Sequence, residues 1–298
     1  MNGQVDSTQR LVWERPPRPQ RIGLALGGGV ARGIAHIGVL QVLEEQGIHP
    51  HYIAGTSAGA LVGGLYAAGV NGTQLHELAG KLKWTMLSSM PVNLNWSALT
   101  AMTMPLGLLG LDRMVEWIIR TTSHDLQFDE LEIPFAAVAT DVTTGETVVM
   151  NQGAIGPAIR ASCSVPGIFT PVRRDGRLLV DGGASNNLPV SVVAQMGADY
   201  VIAVDLLPYA DEAQVEPKNI LEVSMTSLYI LIRASQRDTP MANCVIQPAV
   251  GHVSLSDLSA VTPLVAAGRA AAERMVPQIL ADLGHPQTTL TALHLSLF

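Results

Sequence analysis

The chain has 298 residues, of which 48% are hydrophobic and only 14% are charged. Its net charge of −7 argues against nucleic acid as a partner and against attraction of the whole surface to anionic lipid. The two cysteines are too few for a disulfide framework and lack zinc-site spacing, so we expect buried thiols in a reducing compartment. The length is compatible with one large α/β domain or two smaller ones.

The first 20 residues are polar, include three prolines and lack the apolar stretch of a signal peptide. They predict a disordered or extended tail, and we expect a second tail at 286–298. No stretch of about 18 uninterrupted apolar residues follows, so no membrane-spanning helix is predicted. We expect a cytoplasmic protein, with transient contact to a membrane surface left open.

Two successive β-α units open the folded part of the chain. The first strand, at 21–26, leads into a glycine-rich turn and a helix at about 31–46. The second strand, at 51–54, leads through a short turn into a helix at 58–69. This alternation predicts a parallel sheet with helices on its faces.

The segment 84–111 differs from the rest of the chain in composition. It has no charged residue, and it combines four methionines and two tryptophans with prolines and glycines that break any long helix. It fits a flexible apolar cap over a lipid-sized pocket or on a membrane surface. It fits an irregular insertion packed on the main core equally well.

The second half of the chain continues the alternation of strands and helices. A hairpin is predicted from strands at 134–140 and 146–150, with Asp141 in its turn. The remaining predicted elements are a helix at 153–162, a strand at 178–180, a helix at 189–196, strands at 200–204 and 245–246, and helices at about 218–236 and 260–283.

A G-x-S-x-G pentapeptide at 55–59 lies where the second strand gives way to a helix. The pentapeptide alone is a weak signal, because it occurs by chance in about one chain of this length in ten. Its context is more informative, since a sharp strand-turn-helix elbow exposes the hydroxyl of the central serine. Ser57 is therefore a candidate nucleophile.

The glycine-rich turn at 27–33 does not fit a nucleotide site. Its glycines miss the spacing of the dinucleotide fingerprint, and Ile34 and Ala35 stand where a P-loop needs lysine and serine or threonine. Backbone N–H groups at a helix N-terminus would suit an oxyanion hole instead. A purely structural turn is the alternative.

A serine nucleophile needs a base. His252 and His285 fit the chain order of a hydrolase triad but lie in no distinctive motif, and His36 fits a packed residue or a helper near the site. Asp181 ends an apolar strand before two glycines, where burial would raise the pKa of its carboxyl and improve it as a proton acceptor. Asp-Gly-Gly is also a common structural turn.

Three motifs together resemble the patatin-like phospholipases, in particular their short bacterial branch. G-G-G-V-A-R-G at 27–33, G-T-S-A-G at 55–59 and D-G-G at 181–183 stand in the order and approximate spacing of that family. Further similar stretches lie at 35–40, 139–146, 160–166 and 186–189, so the resemblance covers residues 20–205 strongly and the rest loosely.

The resemblance implies a three-layer α/β/α fold with a mostly parallel central sheet. The hydrolase domain would span 21–285, with 84–111 as a cap-like insertion. The resemblance also implies a catalytic dyad in which Ser57 is the nucleophile and Asp181 is the base. No metal or organic cofactor is expected.

The implied oxyanion hole consists of the backbone amides of Gly28, Gly29 and Val30. Val30 departs from the commonest family pattern, which has glycine there, and a β-branched residue resists positive φ. A left-handed Val30 would damage the hole, whereas an ordinary φ would leave it harmless and able to line the acyl pocket. Arg32 matches the family arginine and could hold a phosphate head group or tie down the loop.

The implied function is a serine lipid acyl hydrolase that cleaves carboxylic esters of phospholipids or lysophospholipids. A short-chain carboxylesterase and a non-catalytic regulatory protein that retains the fold are the alternatives. The expected partner is a phospholipid or another acyl ester. The head group, acyl position, chain length and oligomeric state stay undetermined.

Overall fold

The computed structural model describes residues 21–89, 106–208, 215–218, 220–236 and 239–284. The two predicted tails and the centre of the predicted cap, at 90–105, lie outside the described residues.

Eight described strands form one mixed sheet. They are β1 (Ile22–Leu26), β2 (Tyr52–Thr56), β3 (Phe135–Asp141), β4 (Thr147–Met150), β5 (Val172–Arg174), β6 (Arg177–Asp181), β7 (Tyr200–Val204) and β8 (Cys244–Ile246). Strands β3, β2, β1, β7 and β8 are parallel neighbours in that order. Strands β4 and β6 run antiparallel to β3, and β5 runs antiparallel to β6. The predicted hairpin and the mostly parallel sheet are confirmed.

Helices cover both faces of the sheet. They are α1 (Ala35–Glu45), α2 (Ala58–Ala67), α3 (Gly72–Lys81), α4 (Trp84–Leu87), α5 (Asp112–Thr122), α6 (Ile155–Ser162), α7 (Val190–Gln195), α8 (Ile220–Ser235) and α9 (Val261–Asp282). No helix in the described ranges is long and apolar enough to cross a membrane.

Alternation along the strands separates two hydrophobic layers. Leu24 and Leu26 of β1 face the larger core, which α1, α2, α6 and α9 complete, whereas Ala25 faces α7. Small residues on the second face let α7 lie close to the strands. The three-layer α/β/α prediction is confirmed.

Helices α3 and α5 were not among the predicted elements. For α3 the sequence did hold a signal, a capping box in which Asn71 and Gln74 each accept a hydrogen bond from the other's backbone amide. The described ends of the predicted cap form α4 and the stretch before α5, where Leu87 and Leu111 are buried in the core.

Strands β2 and β6 meet end to end on one edge of β3. Val138 of β3 pairs with Thr56 of β2, and the next residue, Ala139, pairs with Asp181 of β6. Strand β4 pairs with the same part of β3, so it occupies the opposite edge. Strand β2 runs parallel to β3 and β6 runs antiparallel to it, so the two strands approach each other along this edge and their last residues are neighbours. The register therefore places Ser57, which follows Thr56, beside Asp181.

Helices α1 and α9 cross at two glycines. A Cβ on Gly38 would lie 2.0 Å from the carbonyl oxygen of Val265, and a Cβ on Gly268 would lie 1.9 Å from that of Ala35. Only glycine at both positions allows the two backbones to approach this closely. The crossing also fixes the start of α1, which directly follows the glycine-rich turn.

We expect Gly38→Ala and Gly268→Ala each to lower the free energy of unfolding by about 1–3 kcal/mol, because the added methyl group has no space. Gly80→Ala is the matched control, since a Cβ there meets nothing within 4 Å. The control should be neutral or stabilising by about 0.5–1 kcal/mol. Thermal and denaturant unfolding measure both effects. Equal stability of Gly38→Ala and Gly80→Ala would contradict the close crossing.

Candidate active site

Ser57 occupies the sharp turn between β2 and α2. Its backbone dihedrals, φ 54° and ψ −121°, are rare for any residue other than glycine. Such strain costs about 1–3 kcal/mol and persists only where the surroundings hold it. Close packing supplies that support, since a Cβ on Gly55 would lie 2.4 Å from the Gly59 carbonyl oxygen and one on Gly59 would lie 2.1 Å from that of Leu26.

The segment 162–164, at the end of α6, accepts hydrogen bonds from the backbone amides of both members of the predicted dyad. The backbone N–H of Ser57 donates to Ser162 Oγ over 2.9 Å, and the Ser162 hydroxyl donates to the Val138 carbonyl. The backbone N–H of Asp181 donates to the Ser164 carbonyl over 2.8 Å. The sequence predicted the helix and placed 160–166 in the family resemblance, but no local signal pointed to these contacts.

Asp181 is buried at the end of β6, with 6% of its surface exposed. Its Oδ1 accepts a hydrogen bond from the Gly183 amide over 2.8 Å. Burial raises the pKa of Asp181 to about 6, while the Ser57 side chain and the Gly183 amide act in the lowering direction. Among the described residues Oδ2 has no hydrogen bond of ordinary geometry. The Ser57 hydroxyl is thus close enough to act on the carboxyl group without completing a standard bond to Oδ2, as is common before substrate binds.

The glycine-rich turn passes directly beside Ser57. A Cβ on Gly28 would lie 3.2 Å from Ser57 Cβ, so a side chain there would crowd the nucleophile. The Gly28 amide donates to the Asn187 carbonyl over 3.2 Å, whereas the amides of Gly29 and Val30 have no acceptor within the described part of the chain. Of the three amides in the predicted oxyanion hole, that of Gly28 is therefore paired, and those of Gly29 and Val30 are unpaired among the described residues.

Val30 adopts the left-handed conformation, with φ 50°. This conformation is the one expected to damage the oxyanion hole, yet the Val30 amide has no acceptor among the described residues and the side chain lines the apolar cleft beside Ser57. Val30 therefore combines two properties expected as alternatives, a left-handed backbone and a side chain in the wall of the cleft. A left-handed β-branched residue is strained by about 1–2 kcal/mol, so the surrounding loop has to hold it.

Two buried polar side chains anchor the glycine-rich turn. Arg32 donates through Nε to the Val253 carbonyl over 2.9 Å and through a terminal nitrogen to the Gly251 carbonyl over 3.0 Å. These contacts support the loop-anchoring alternative for Arg32 over binding of a phosphate head group. His36 donates through Nε2 to the Gly27 carbonyl over 2.8 Å.

Histidine does not complete a triad in the described structure. Burial lowers the pKa of His36 to about 4, so its ring is neutral at pH 7. The ring stabilises the glycine-rich turn through its hydrogen bond to the Gly27 carbonyl. His252 is exposed, and His285 lies outside the described residues. None of the described residues that line the cleft is a histidine. Asp181 is the candidate base that the fold places beside Ser57.

An apolar cleft begins at Ser57 and extends between α2, α3 and α5. None of the described residues that line it is charged. Trp84, Leu87 and Leu111, from the described ends of the predicted cap, contribute to its wall. Other wall residues are Leu61, Leu65, Leu78, Met114, Trp117, Cys163 and Phe169.

Solved structures with a similar fold include VipD from Legionella pneumophila, with a TM-score of 0.57 and 15% sequence identity over 88% of this chain and 67% of that chain. The heterodimeric ExoU–SpcU complex of Pseudomonas aeruginosa gives a TM-score of 0.50 at 16% identity, over 90% of this chain and 52% of that chain. At these identities the likeness concerns the fold alone.

Similar sequences include an uncharacterized NTE family protein of Mycobacterium bovis, 40% identical over 186 residues, which are 62% of this chain and 49% of that protein. The patatin-like phospholipase domain-containing protein 6 of Homo sapiens is 36% identical over 62% of this chain and 13% of that protein. The chain therefore spans half or less of the length of these curated relatives.

The family model of the patatin-like phospholipases matches residues 24–194, more than half of the chain. The matched stretch contains the glycine-rich turn, the Ser57 elbow and the Asp181 turn. Sequence, fold and family model agree, and the chain belongs to the patatin-like phospholipase family.

Proposed function

We propose that this protein is a serine hydrolase of lipid acyl esters in which Ser57 is the nucleophile and Asp181 the base. One observation carries the proposal: a strained serine elbow lies beside a buried carboxyl group and lines a cleft with a hydrocarbon wall. Family membership supports a lipid ester as the substrate class.

In the acylation step, Asp181 accepts the proton of Ser57 while Oγ attacks the ester carbonyl carbon. With a pKa of about 6, the carboxyl is ionised at pH 7 and still basic enough to take the proton. The free amides of Gly29 and Val30 donate to the developing oxyanion, a contribution for which one donor is typically worth about 10²–10³ in rate. The alcohol leaves with the proton, and water then hydrolyses the acyl-enzyme.

The cleft favours a long acyl chain over a short one. Each methylene group that moves from water into such a lining gains about 0.8 kcal/mol until the cleft is filled. A short-chain esterase would leave most of this surface unused, and a non-catalytic protein would have no need for the strained elbow. The lipid acyl hydrolase is therefore the function that the geometry supports best.

With p-nitrophenyl esters from acetate to palmitate, we expect kcat/KM to rise with chain length and then level off as the cleft fills. Phospholipid and lysophospholipid vesicles extend the test to lipid substrates. Ser57→Ala, the control, should lose both turnover and labelling by a fluorophosphonate. A preference for acetate with no activity on long chains would contradict the lipid assignment, and a folded parent protein that takes no label would contradict the enzyme.

The raised pKa of Asp181 predicts the pH dependence of activity. Below pH 6 the carboxyl binds a proton and cannot act as a base, so kcat/KM should fall about tenfold per pH unit below a midpoint near 6. Asp181→Asn should lower activity by at least about 10²-fold at pH 8.

Asp205→Asn is the matched control for this profile, because Asp205 is also a buried aspartate at a strand end whose pKa burial raises. The control should keep the midpoint near pH 6. A constant kcat/KM from pH 8 to pH 5, or loss of the midpoint in the control, would argue against Asp181 as the base.

The Ser162 side chain accepts the Ser57 amide, so we expect it to position the elbow. Ser164 contacts Asp181 through its backbone carbonyl, so its side chain should not affect the dyad. Ser162→Ala removes the acceptor of the Ser57 amide and should destabilise the protein by about 1–3 kcal/mol and slow fluorophosphonate labelling of Ser57. In Ser164→Ala the lost hydroxyl bonds only to the Arg160 carbonyl, so labelling should hardly change. Equal labelling rates in the two variants would contradict a role of Ser162 in positioning the nucleophile.

A further inference from the structure

Two buried polar atoms near the candidate dyad lack hydrogen-bond partners among the described residues. They are Asn187 Nδ2, a donor, and Asp181 Oδ2, an acceptor. Asn187 is only 4% exposed. Buried polar groups in native proteins nearly always have a protein or water partner. A buried water molecule needs polar partners, and an unpaired donor near an unpaired acceptor can provide two of them.

The Asn187 side chain lies between the glycine-rich turn and the Asp181 turn. The position of a Cβ on Gly28 lies 2.6 Å from Asn187 Oδ1 and 3.2 Å from Ser57 Cβ. The position of a Cβ on Gly183 lies 3.1 Å from Asn187 Oδ1 and 3.1 Å from Asp181 Oδ1. Glycine at both positions therefore lets the side chains of Ser57, Asp181 and Asn187 lie close together, and we call the region between these three side chains the niche.

The backbone on both sides of this niche is anchored. The Asn187 carbonyl accepts the Gly28 amide over 3.2 Å, and the preceding carbonyl, of Asn186, accepts the Thr56 hydroxyl over 2.9 Å. Both contacts use main-chain carbonyl oxygens of the two asparagines. They hold the Asn187 side chain against the elbow but do not occupy its amide group, which is left for another partner.

A polar cavity adjoins the niche and is separate from the apolar cleft. It is bounded by β4, α7 and the end of α8, and it shares no lining residue with the cleft. The described residues that line it carry neutral amide, hydroxyl or apolar groups. Among them are Gly183, Ser185, Asn186, Asn187, Ser191 and Gln236. Asn187 thus borders a polar cavity that an acyl chain in the cleft leaves unoccupied.

We propose that Asn187 binds and orients the water that hydrolyses the acyl-enzyme, an inference that rests on the proposed function. Asn187 Nδ2 donates to the water oxygen, and Asp181 Oδ2 accepts one of the water protons. The water oxygen bonds to the carbonyl carbon of acyl-Ser57, and the tetrahedral intermediate then expels Ser57 Oγ. The serine recovers the proton from Asp181, and the acyl group leaves as a carboxylic acid.

Asn187→Ala tests this role, because it removes the amide and keeps the carbonyl that holds Gly28. We expect fluorophosphonate labelling of Ser57 to change by less than about threefold, while deacylation slows by about 10- to 100-fold. After mixing with p-nitrophenyl laurate, intact-protein mass spectrometry should show the acyl-enzyme accumulating. Hydroxylamine, a stronger nucleophile than water, should restore turnover.

Two further variants keep the test decisive. Gly183→Ala retains Asn187 but adds a methyl group 3.1 Å from Asn187 Oδ1, so it should displace the amide and slow deacylation in the same way even if Asn187→Ala folds poorly. Asn243→Ala removes an asparagine whose side chain only accepts the Val201 amide, so it should leave the ratio of deacylation to labelling unchanged.

Unchanged deacylation in folded Asn187→Ala and Gly183→Ala, with normal labelling of Ser57, would overturn the role of Asn187 and leave the hydrolase intact. Proportional loss of labelling and deacylation would also overturn it, since that pattern belongs to a structural residue. Absence of label and of acyl-enzyme in the parent protein would instead overturn the proposed function together with the inference.

Discussion

The register of strand β3 is the constraint on which the candidate site depends. Val138 and Ala139, two consecutive residues of β3, pair with Thr56 at the end of β2 and with Asp181 at the end of β6. Backbone hydrogen bonds of the sheet, rather than side-chain contacts, therefore set the separation of the serine elbow and the carboxyl group. The site can accordingly tolerate changes in its apolar walls more easily than any change in this pairing.

Strain in the site is concentrated in two residues and held by the rest of the fold. Ser57 and Val30 both have positive φ; Ser57 lies beside Gly28, and Val30 lies two residues after Gly28 in the same turn. Contacts from distant parts of the chain hold these turns, as Ser162 bonds to the elbow and His36 to the glycine-rich turn. The crossing of α1 and α9 fixes the helix that follows that turn. Stability and reactivity are therefore linked through backbone geometry.

Asp181 lies between two different environments. Burial raises the pKa of its carboxyl toward neutrality, which a proton acceptor at physiological pH requires. The apolar cleft suits the acyl chain, whereas the polar cavity beside Asn187 suits water. Separate routes would let an enzyme with a filled cleft complete its cycle, since the second substrate of hydrolysis does not have to pass the first.

Local patterns in the sequence predicted a parallel sheet with helices on its faces and two candidate residues, and the family resemblance implied the three-layer fold and the dyad. Apolar strands before polar turns, glycines at a strand-helix elbow and a carboxylate at a strand end are all short-range signals, and they pointed to Ser57 and Asp181. The capping box of α3 was equally local and was overlooked. Tertiary structure alone decided that the Gly28 amide pairs with the Asn187 carbonyl, that Arg32 anchors the loop, and that Ser162 holds the Ser57 amide. These roles depend on hydrogen bonds between residues far apart in the chain, and no periodicity or motif encodes which donor will meet which acceptor once the sheet has set its register.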